Sequence, residues 1–209
     1  MNKSGFDDAQ AFWDKRYAAP EYIFGTTPNA FLAAQKERFH PGMRVLDIAC
    51  GEGRNSVWLA QLGCEVAGVD VSPLALAKAR ALATQKNVSP AFVEGNIRQW
   101  LWEADQFDAV VTIFIQFAAP EGRSALFDGI ARTLKPGGLL FLQGFTPAQL
   151  AFTSGGPKEL SHLYTADIVR ELLHGMDILH LSEQQAVLSE GSKHVGDAAL
   201  IDVIAQKPR

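Results

Sequence analysis

The sequence has few cysteines, no cluster of basic residues and no long apolar run, and each absence narrows the classes of protein it can belong to. Cys50 and Cys64 are the only cysteines among 209 residues, too few for a disulfide framework or a zinc pattern. The net charge of −4 and the lack of a basic face argue against a large nucleic-acid footprint. We therefore expect neither a nucleic-acid partner nor a bound metal.

The chain also lacks the segments that direct a protein to membranes. No apolar run approaches the roughly 20 residues that a membrane helix needs. The amino terminus carries Asp7 and Asp8 and no apolar core, so it does not read as a secretory signal. These features predict a cytoplasmic protein without a membrane partner. The length fits a single domain over 1–209, with an amino-terminal helical lid at 1–40 and a core at 41–209.

Two short apolar segments near the first third of the chain are each followed by features of a cofactor site. The segment 45–48 contains Asp47 and leads into a turn with Gly51 and Gly53, and a second apolar segment ends in Asp70. A doubly wound sheet places its ribose-binding carboxylate at the position of that second acid. The order therefore predicts a nucleotide-type cofactor loop, with an ordinary strand, loop and helix as the alternative.

The acids favour a positively charged cofactor. A dinucleotide brings a pyrophosphate to the helix amino terminus, where an ionised Asp47 would repel it. S-adenosylmethionine carries an ammonium and a sulfonium centre, which a carboxylate attracts. The dinucleotide fingerprint also requires glycine or alanine where this chain has Ser56. We expect S-adenosylmethionine as the cofactor, and a nicotinamide-dependent oxidoreductase is the alternative.

Apolar periodicity and turn residues predict alternating strands and helices. Strands are expected at 43–49, 64–70, 91–93, 107–114, 139–145, 176–188 and 196–206. Helices are expected at 6–18, 27–39, 54–62, 121–134 and 165–174, and a further helix is expected to begin with Ser72 as its cap and Pro73 in its first turn. Thr27 and Pro28 are expected to start the second helix, 135–138 to form a turn, and 146–160 to be irregular. The predicted fold is α/β: a Rossmann-like, seven-stranded, mostly parallel sheet with helices on both faces and an antiparallel C-terminal hairpin.

Several short motifs lie between about Phe12 and Lys207. They are Phe12-Trp13-x-x-Arg16-Tyr17, Phe24-Gly25-x-x-Pro28-Asn29, Asp47-x-Ala49-Cys50-Gly51-Glu52-Gly53-Arg54-Asn55, Gly68-Val69-Asp70-x-Ser72-Pro73, Leu134-Lys135-Pro136-Gly137-Gly138, and Gly155-Gly156-Pro157 followed by Leu163-Tyr164-Thr165. With them the chain resembles the class I S-adenosylmethionine-dependent methyltransferases, and within these the tellurite-resistance and thiopurine-type small-molecule branch. The resemblance implies in-line methyl transfer to a small-molecule acceptor. A non-catalytic S-adenosylmethionine-binding protein is a further alternative.

The resemblance also implies a set of cofactor-binding residues. Asp70 would take the ribose hydroxyls, Val71 would lie beneath the adenine, and the amide oxygen of Asn96 would accept a hydrogen bond from the adenine amino group. Arg16 and Tyr17 would belong to a lid helix, with a plain amphipathic helix as the alternative. The full cofactor set is Arg16, Tyr17, Asp47, Ala49, Cys50, Gly51, Gly53, Asn55, Asp70, Val71, Asn96, Ile97, Arg98, Ile113 and Phe114. The switch-point rule independently predicts a ligand between the first and fourth strands.

Four further residues are predicted to act on the acceptor. By the resemblance, Arg54 would hold an oxyanion substrate, with a solvated helix residue as the alternative. His194 is the candidate general base, with a surface histidine in the hairpin turn as the alternative. Relatives of this branch often have arginine next, whereas Val195 follows here, which argues against tellurite itself. Gln116 and Phe145 would line the acceptor pocket, or else pack in the core.

The sequence indicates only the broad class of the methyl acceptor and of the assembly state. No Asn-Pro-Pro-aromatic or Asp-Pro-Pro-aromatic tetrapeptide follows the fourth strand, where the residues are Ile115-Gln116-Phe117-Ala118. This absence argues against methylation of nucleobase amino groups. We expect a small-molecule methyl acceptor and a monomer or homodimer.

Overall fold

The computed structural model describes residues 4–117 and 120–209. Residues 1–3 of the predicted lid and Ala118 of the tetrapeptide segment lie outside these ranges. The elements within them are α1 (Ser4–Tyr17), α2 (Ala30–Ala33), β1 (Arg44–Ile48), α3 (Arg54–Gln61), β2 (Glu65–Asp70), α4 (Pro73–Gln85), β3 (Ala91–Glu94), β4 (Phe107–Ile113), α5 (Pro120–Thr133), β5 (Leu134–Phe145), α6 (Ala166–Leu172), β6 (Asp177–Glu190) and β7 (His194–Gln206). Short 3-10 helices occur at Lys36–Arg38, Pro147–Ala151 and Leu160–His162.

The seven strands form one sheet in the order β3-β2-β1-β4-β5-β7-β6. The pairs β1–β2, β2–β3 and β4–β5 are parallel, whereas β7 runs antiparallel to β5. The predicted mostly parallel sheet with an antiparallel C-terminal hairpin is confirmed. β4 is the middle strand, and its buried run from Ala109 to Ile113 is mostly apolar because a strand covered on both faces needs apolar side chains on both.

The chain divides into two compact units. The first unit comprises the described residues up to Trp100 together with Glu190–Ser192. Its helix α4 begins as predicted at Ser72, whose side chain accepts a hydrogen bond from the backbone N–H of Ala75 at 3.1 Å. A proline at the first position of that helix loses no hydrogen bond, since the first N–H groups of a helix have no partner within it.

The second unit comprises the described residues from 101 to 189 and from 193 to 209. Strand β5 supplies the buried run Leu140, Phe141 and Leu142, and β7 supplies a second buried run from Ala198 to Ala205. The connection at 146–160, predicted to be irregular throughout, contains the 3-10 helix Pro147–Ala151. That part of the prediction is wrong.

The predicted second helix is wrong at both ends. Its N-cap is Asn29, whose side chain accepts a hydrogen bond from the N–H of Leu32 at 3.1 Å, and not Thr27. Asparagine caps helices slightly better than threonine, which accounts for the later start. The α-helix stops at Ala33, and the chain continues in the 3-10 helix Lys36–Arg38.

The predicted turn at 135–138 lies inside β5. The pairing with β4 jumps from Leu134 to Leu139, so the intervening residues form an irregularity in the ladder. Pro136 has no N–H to donate, and Gly137 has a φ of +81°, which removes both from regular strand pairing. The turn residues were recognised correctly, but the sequence did not show that the strand continues on both sides of them.

Gly129 on α5 provides a test of the packing in the second unit. A Cβ added there would lie 2.5 Å from the indole ring of Trp102. Although glycine inside a helix normally costs about 1 kcal/mol relative to alanine, we expect Gly129→Ala to destabilise the protein by about 1–3 kcal/mol, because the indole would be displaced. Urea denaturation measures this change. Adding Trp102→Leu should recover much of the loss, whereas a Gly129→Ala variant more stable than wild type would contradict the packing.

Candidate functional site

The glycine loop, residues 49–53, connects β1 to α3 and has a strained backbone. Ala49 has a φ of +52°, a left-handed conformation that non-glycine residues rarely adopt. Gly51, with a φ of +54°, faces the ring of Tyr17, and a Cβ there would lie 2.8 Å from the phenol oxygen. Such strain persists where the surrounding structure enforces it and is concentrated at functional sites.

Asp70, at the end of β2, holds the glycine loop in place. Its carboxylate accepts hydrogen bonds from the N–H of Gly51 at 2.8 Å and of Ser72 at 2.9 Å. Burial raises the pKa of this carboxyl above its ordinary value, although the backbone N–H bonds oppose the rise. One buried acid therefore fixes both the loop and the start of α4.

Asp47, at the end of β1, is buried and accepts a hydrogen bond from the hydroxyl of Ser56 at 2.6 Å. Burial raises the pKa of Asp47 to about 7, against the opposing effects of the Ser56 bond and the charge of Arg54. The sequence argument against a dinucleotide took Asp47 as ionised, whereas burial in the protein without cofactor shifts this carboxyl toward its neutral form. A cationic ligand nearby would favour the ionised form. Ser56, which the sequence marked only as a departure from the dinucleotide fingerprint, is the partner of this acid.

Cys50 in the glycine loop is buried. Burial and the nearby charges of Asp47 and Asp70 raise the pKa of its thiol well above the ordinary value. A thiol that stays protonated is a poor nucleophile. The residue therefore acts as a small side chain within the loop.

The two lid residues on α1 have different surroundings. Tyr17 is buried, lies against Gly51 and stacks on Trp13 with ring centroids 5.7 Å apart. Arg16 is exposed, and its guanidinium lies over the rings of Phe12 and Trp13 on the same helix, at 4.4 and 5.3 Å. Tyr17 thus lies at the glycine loop, whereas the ring contacts of Arg16 are with residues of its own helix, α1.

The residues predicted around the adenine lie after β2 and β3 in the same unit. Val71 and Asn96 are half-buried, Ile97 is buried and Arg98 is exposed. The side-chain oxygen of Asn96 accepts a hydrogen bond from the N–H of Arg98 at 3.0 Å, which forms a local turn. An amide oxygen has two lone pairs, so this bond leaves one for another donor.

The two predicted site residues at the start of α3 are both buried and paired. Arg54 donates to the carboxylate of Glu190 at 2.9 Å, and Asn55 accepts from the N–H of Asn29 at 2.9 Å. The alternative of a solvated helix residue for Arg54 is therefore wrong. Its partner is the last residue of β6, which local spacing in the sequence does not reveal.

The second unit contains an aromatic cluster, formed by Phe114, Phe145 and His194. Phe114 directly follows the buried Ile113, has a φ of +59° and stacks on Phe145 with centroids 4.6 Å apart. The His194 ring meets both phenylalanines edge-on, at 4.8 and 5.6 Å. His194 is 8% exposed and is the first residue of β7, so the alternative of a surface turn histidine is wrong.

Gln116 is buried and fully engaged with the backbone. Its amide nitrogen donates to the carbonyl oxygens of Phe145 at 2.8 Å and His162 at 3.0 Å, and its oxygen accepts from the N–H of Phe145 at 2.5 Å. These bonds tie the segment after β4 to the end of β5. Both amide N–H groups are used, so Gln116 could donate to an acceptor molecule only if one of these bonds broke.

Sequence reasoning missed the ion pairs that surround the glycine loop. Lys78 on α4 contacts Glu52 of the loop at 2.8 Å, and Glu190 contacts Arg54.

No group of three or more histidine, cysteine, aspartate or glutamate side chains with metal-binding geometry occurs in residues 4–117 and 120–209. In the same ranges, no helix has both the length and the apolar character needed to cross a bilayer.

Comparison with known proteins finds similarity to methyltransferases. Residues 45–138 match the family model described as Methyltransferase domain. An uncharacterized methyltransferase of Synechocystis sp. is 35% identical over 118 residues, covering 51% of this chain and 54% of the relative. A ubiquinone biosynthesis O-methyltransferase of Xanthomonas oryzae pv. oryzae is 30% identical over 161 residues, covering 76% of this chain and 65% of the relative. The chain thus spans about half the length of the first of these relatives and somewhat more of the second.

A solved structure shares the fold over almost the whole chain. N-methyltransferase NodS from Bradyrhizobium japonicum WM9, in complex with S-adenosyl-L-homocysteine, has a TM-score of 0.71 at 16% identity, covering 97% of this chain and 100% of that chain. At this identity the likeness establishes the fold only. Residues 45–138 are thus similar to a methyltransferase domain, and the relatives that the chain resembles include proteins named as methyltransferases.

Proposed function

We propose that this protein transfers the methyl group of S-adenosylmethionine to a small-molecule acceptor by direct in-line displacement. The observation that carries the proposal is the buried Asp70 carboxylate, hydrogen-bonded to Gly51 and Ser72 at the edge of the glycine loop. The relative named as a ubiquinone biosynthesis O-methyltransferase supports a small acceptor. Membership of the tellurite-resistance and thiopurine-type branch stays a prediction from the motifs.

The hydrogen bonds of the glycine loop favour S-adenosylmethionine over a dinucleotide. The N–H groups of Cys50, Gly51 and Gly53 donate to Val69, Asp70 and Cys50 respectively, so these amides are already occupied. A pyrophosphate site needs free loop amides. The buried acids Asp47 and Asp70 instead suit a ligand that carries positive charge.

The chain would contribute orientation and the exclusion of water. S-adenosylmethionine supplies an electrophilic methyl group on a sulfonium centre. Alignment of an acceptor with such a group can lower the barrier by roughly 7–11 kcal/mol. Tyr17, Asp47 and Asp70 would position the cofactor from the glycine-loop side, and Val71, Asn96 and Ile97 from the adenine side.

His194 would serve as a general base where the acceptor arrives protonated. Its ring is held edge-on by Phe114 and Phe145, which fixes its orientation. A phenol or ammonium acceptor must lose a proton during transfer, whereas a thiolate or another soft chalcogen acceptor need not. The base would therefore matter for one chemical class of acceptor and not for the other.

Binding of S-adenosyl-L-homocysteine tests the cofactor site. We expect Asp70→Asn to weaken this binding at least tenfold, about 1.4 kcal/mol or more. The N–H groups of Gly51 and Ser72 donate to different oxygens of Asp70, and the asparagine side chain has only one oxygen to accept them. Isothermal titration calorimetry measures the affinity. Asp202→Asn, at a buried aspartate that accepts from Gln143 at 2.6 Å in the second unit, is the matched control and should bind as wild type does. Equal affinities for Asp70→Asn and wild type would contradict the assignment.

Transfer of a labelled methyl group tests catalysis. With a panel of thiols, phenols, amines and chalcogen oxyanions, we expect His194→Gln to slow transfer to phenols or ammonium groups by roughly 10²–10⁴-fold and to spare thiolates. Scintillation counting of the products measures the rates. Binding of the cofactor without transfer to any member of the panel would favour the non-catalytic alternative. Oxidation of reduced nicotinamide by the protein would favour an oxidoreductase.

The raised pKa of Asp47 predicts a pH dependence of stability. Between its unfolded pKa near 3.8 and its folded pKa of about 7, the folded state holds more protons, so stability falls as the pH rises through this range. A difference of about three pKa units corresponds to an upper bound of about 4 kcal/mol for this group. Urea denaturation without cofactor should show Asp47→Asn to be more stable than wild type at pH 8, with a smaller gain at pH 5. A gain independent of pH would contradict the buried acid.

A further inference from the structure

The turn between β6 and β7 packs against a segment near the amino terminus. We call residues 19–29 the strap. The N–H of Ser192 donates to the carbonyl oxygen of Ile23 at 2.9 Å, and a Cβ added at Gly191 would lie 2.3 Å from that oxygen and 2.5 Å from the nitrogen of Gly25. The two backbones thus meet so closely that no side chain fits between them.

Charged groups reinforce this contact. Arg54 donates to one oxygen of Glu190 at 2.9 Å, and the side-chain amide of Asn29 donates to the other at 3.0 Å. Arg54 also donates to the carbonyl oxygen of Phe24 at 3.3 Å. The side chains of Arg54 and Glu190 are each 10% exposed, so water screens their attraction little. A single ion pair therefore joins α3, the end of β6 and the strap.

A second ion pair attaches the other end of the strap to the glycine loop. The Lys78 ammonium contacts Glu52 at 2.8 Å and donates to the carbonyl oxygens of Ala19 at 2.5 Å and Glu21 at 2.7 Å. The other oxygen of Glu52 accepts from the N–H of Phe24 at 3.3 Å. The strap is thus held by Glu52, which belongs to the glycine loop, and by Arg54, the residue that follows the loop.

We propose that Arg54 and Glu190 are positioning residues that hold the strap closed at the glycine loop and thereby control the release of the demethylated cofactor. The inference rests on the proposed function. Both oxygens of Glu190 and the charge of Arg54 are engaged within the protein, so Arg54 has a structural partner where the resemblance implied an oxyanion substrate. Release of S-adenosyl-L-homocysteine requires the strap to detach, and the ion pair sets how often it does.

Glu190→Gln tests the inference because it keeps the size of the side chain and removes its charge. We expect the dissociation rate of S-adenosyl-L-homocysteine, measured by stopped-flow competition, to rise at least about tenfold, and the amides of residues 19–29 to exchange hydrogen faster. Asp167→Asn, which breaks the exposed pair with Arg170, is the matched control and should change neither quantity.

Other outcomes would overturn the inference. Wild-type dissociation and wild-type amide exchange in Glu190→Gln would do so, as would an Arg54→Gln variant that raises only the acceptor KM. Should Glu190→Gln not fold, Gly191→Ala forces the strap away sterically and must give the same fast dissociation and exchange. A wild-type protein that does not bind S-adenosyl-L-homocysteine would contradict the proposed function, while amide exchange in the cofactor-free variants would still decide whether Glu190 holds the strap.

Discussion

The two hydrogen bonds that the buried carboxylate of Asp70 accepts from Gly51 and Ser72 hold together the part of the first unit that surrounds the glycine loop. They fix the end of β2, the glycine loop and the start of α4 relative to one another. Ser72 extends the arrangement, since its hydroxyl caps α4 and also donates to Asp14 on α1. The position of Tyr17 at Gly51 depends on this network, because α1 is docked through the same cap.

The acids near the loop fall into two groups. Glu52 and Glu190 form ion pairs with Lys78 and Arg54, whereas Asp47 and Asp70 are bonded to a hydroxyl and to backbone N–H groups. Because neutral donors compensate a buried carboxylate only in part, burial raises the pKa of both Asp47 and Asp70. The first group fastens the strap. In the proposed function, a cationic cofactor would favour the ionised forms of the second group, so the two proposed tasks fall to different carboxylates.

The sequence predicted the parts of this structure that depend on local pattern. The apolar runs of β1, β2 and β4, the cap at Ser72 and the placement of the two acids at strand ends follow from periodicity and turn chemistry. The ion pair of Arg54 with Glu190 could not be predicted, since its partners are 136 residues apart in the chain. The same holds for the burial of His194, which depends on the packing of Phe114 and Phe145. The continuation of β5 through 135–138 was missed because Pro136 and Gly137 locally favour a turn.

The central claim is that the glycine loop and Asp70 together bind the adenosyl cofactor. A crystal structure of the protein with S-adenosyl-L-homocysteine tests it most directly. We predict electron density for the ligand along residues 49–53, with its ribose hydroxyls at the Asp70 carboxylate and its base beside Val71 and Asn96. Density for the nucleoside elsewhere on the protein, with no contact to Asp70, would contradict the claim.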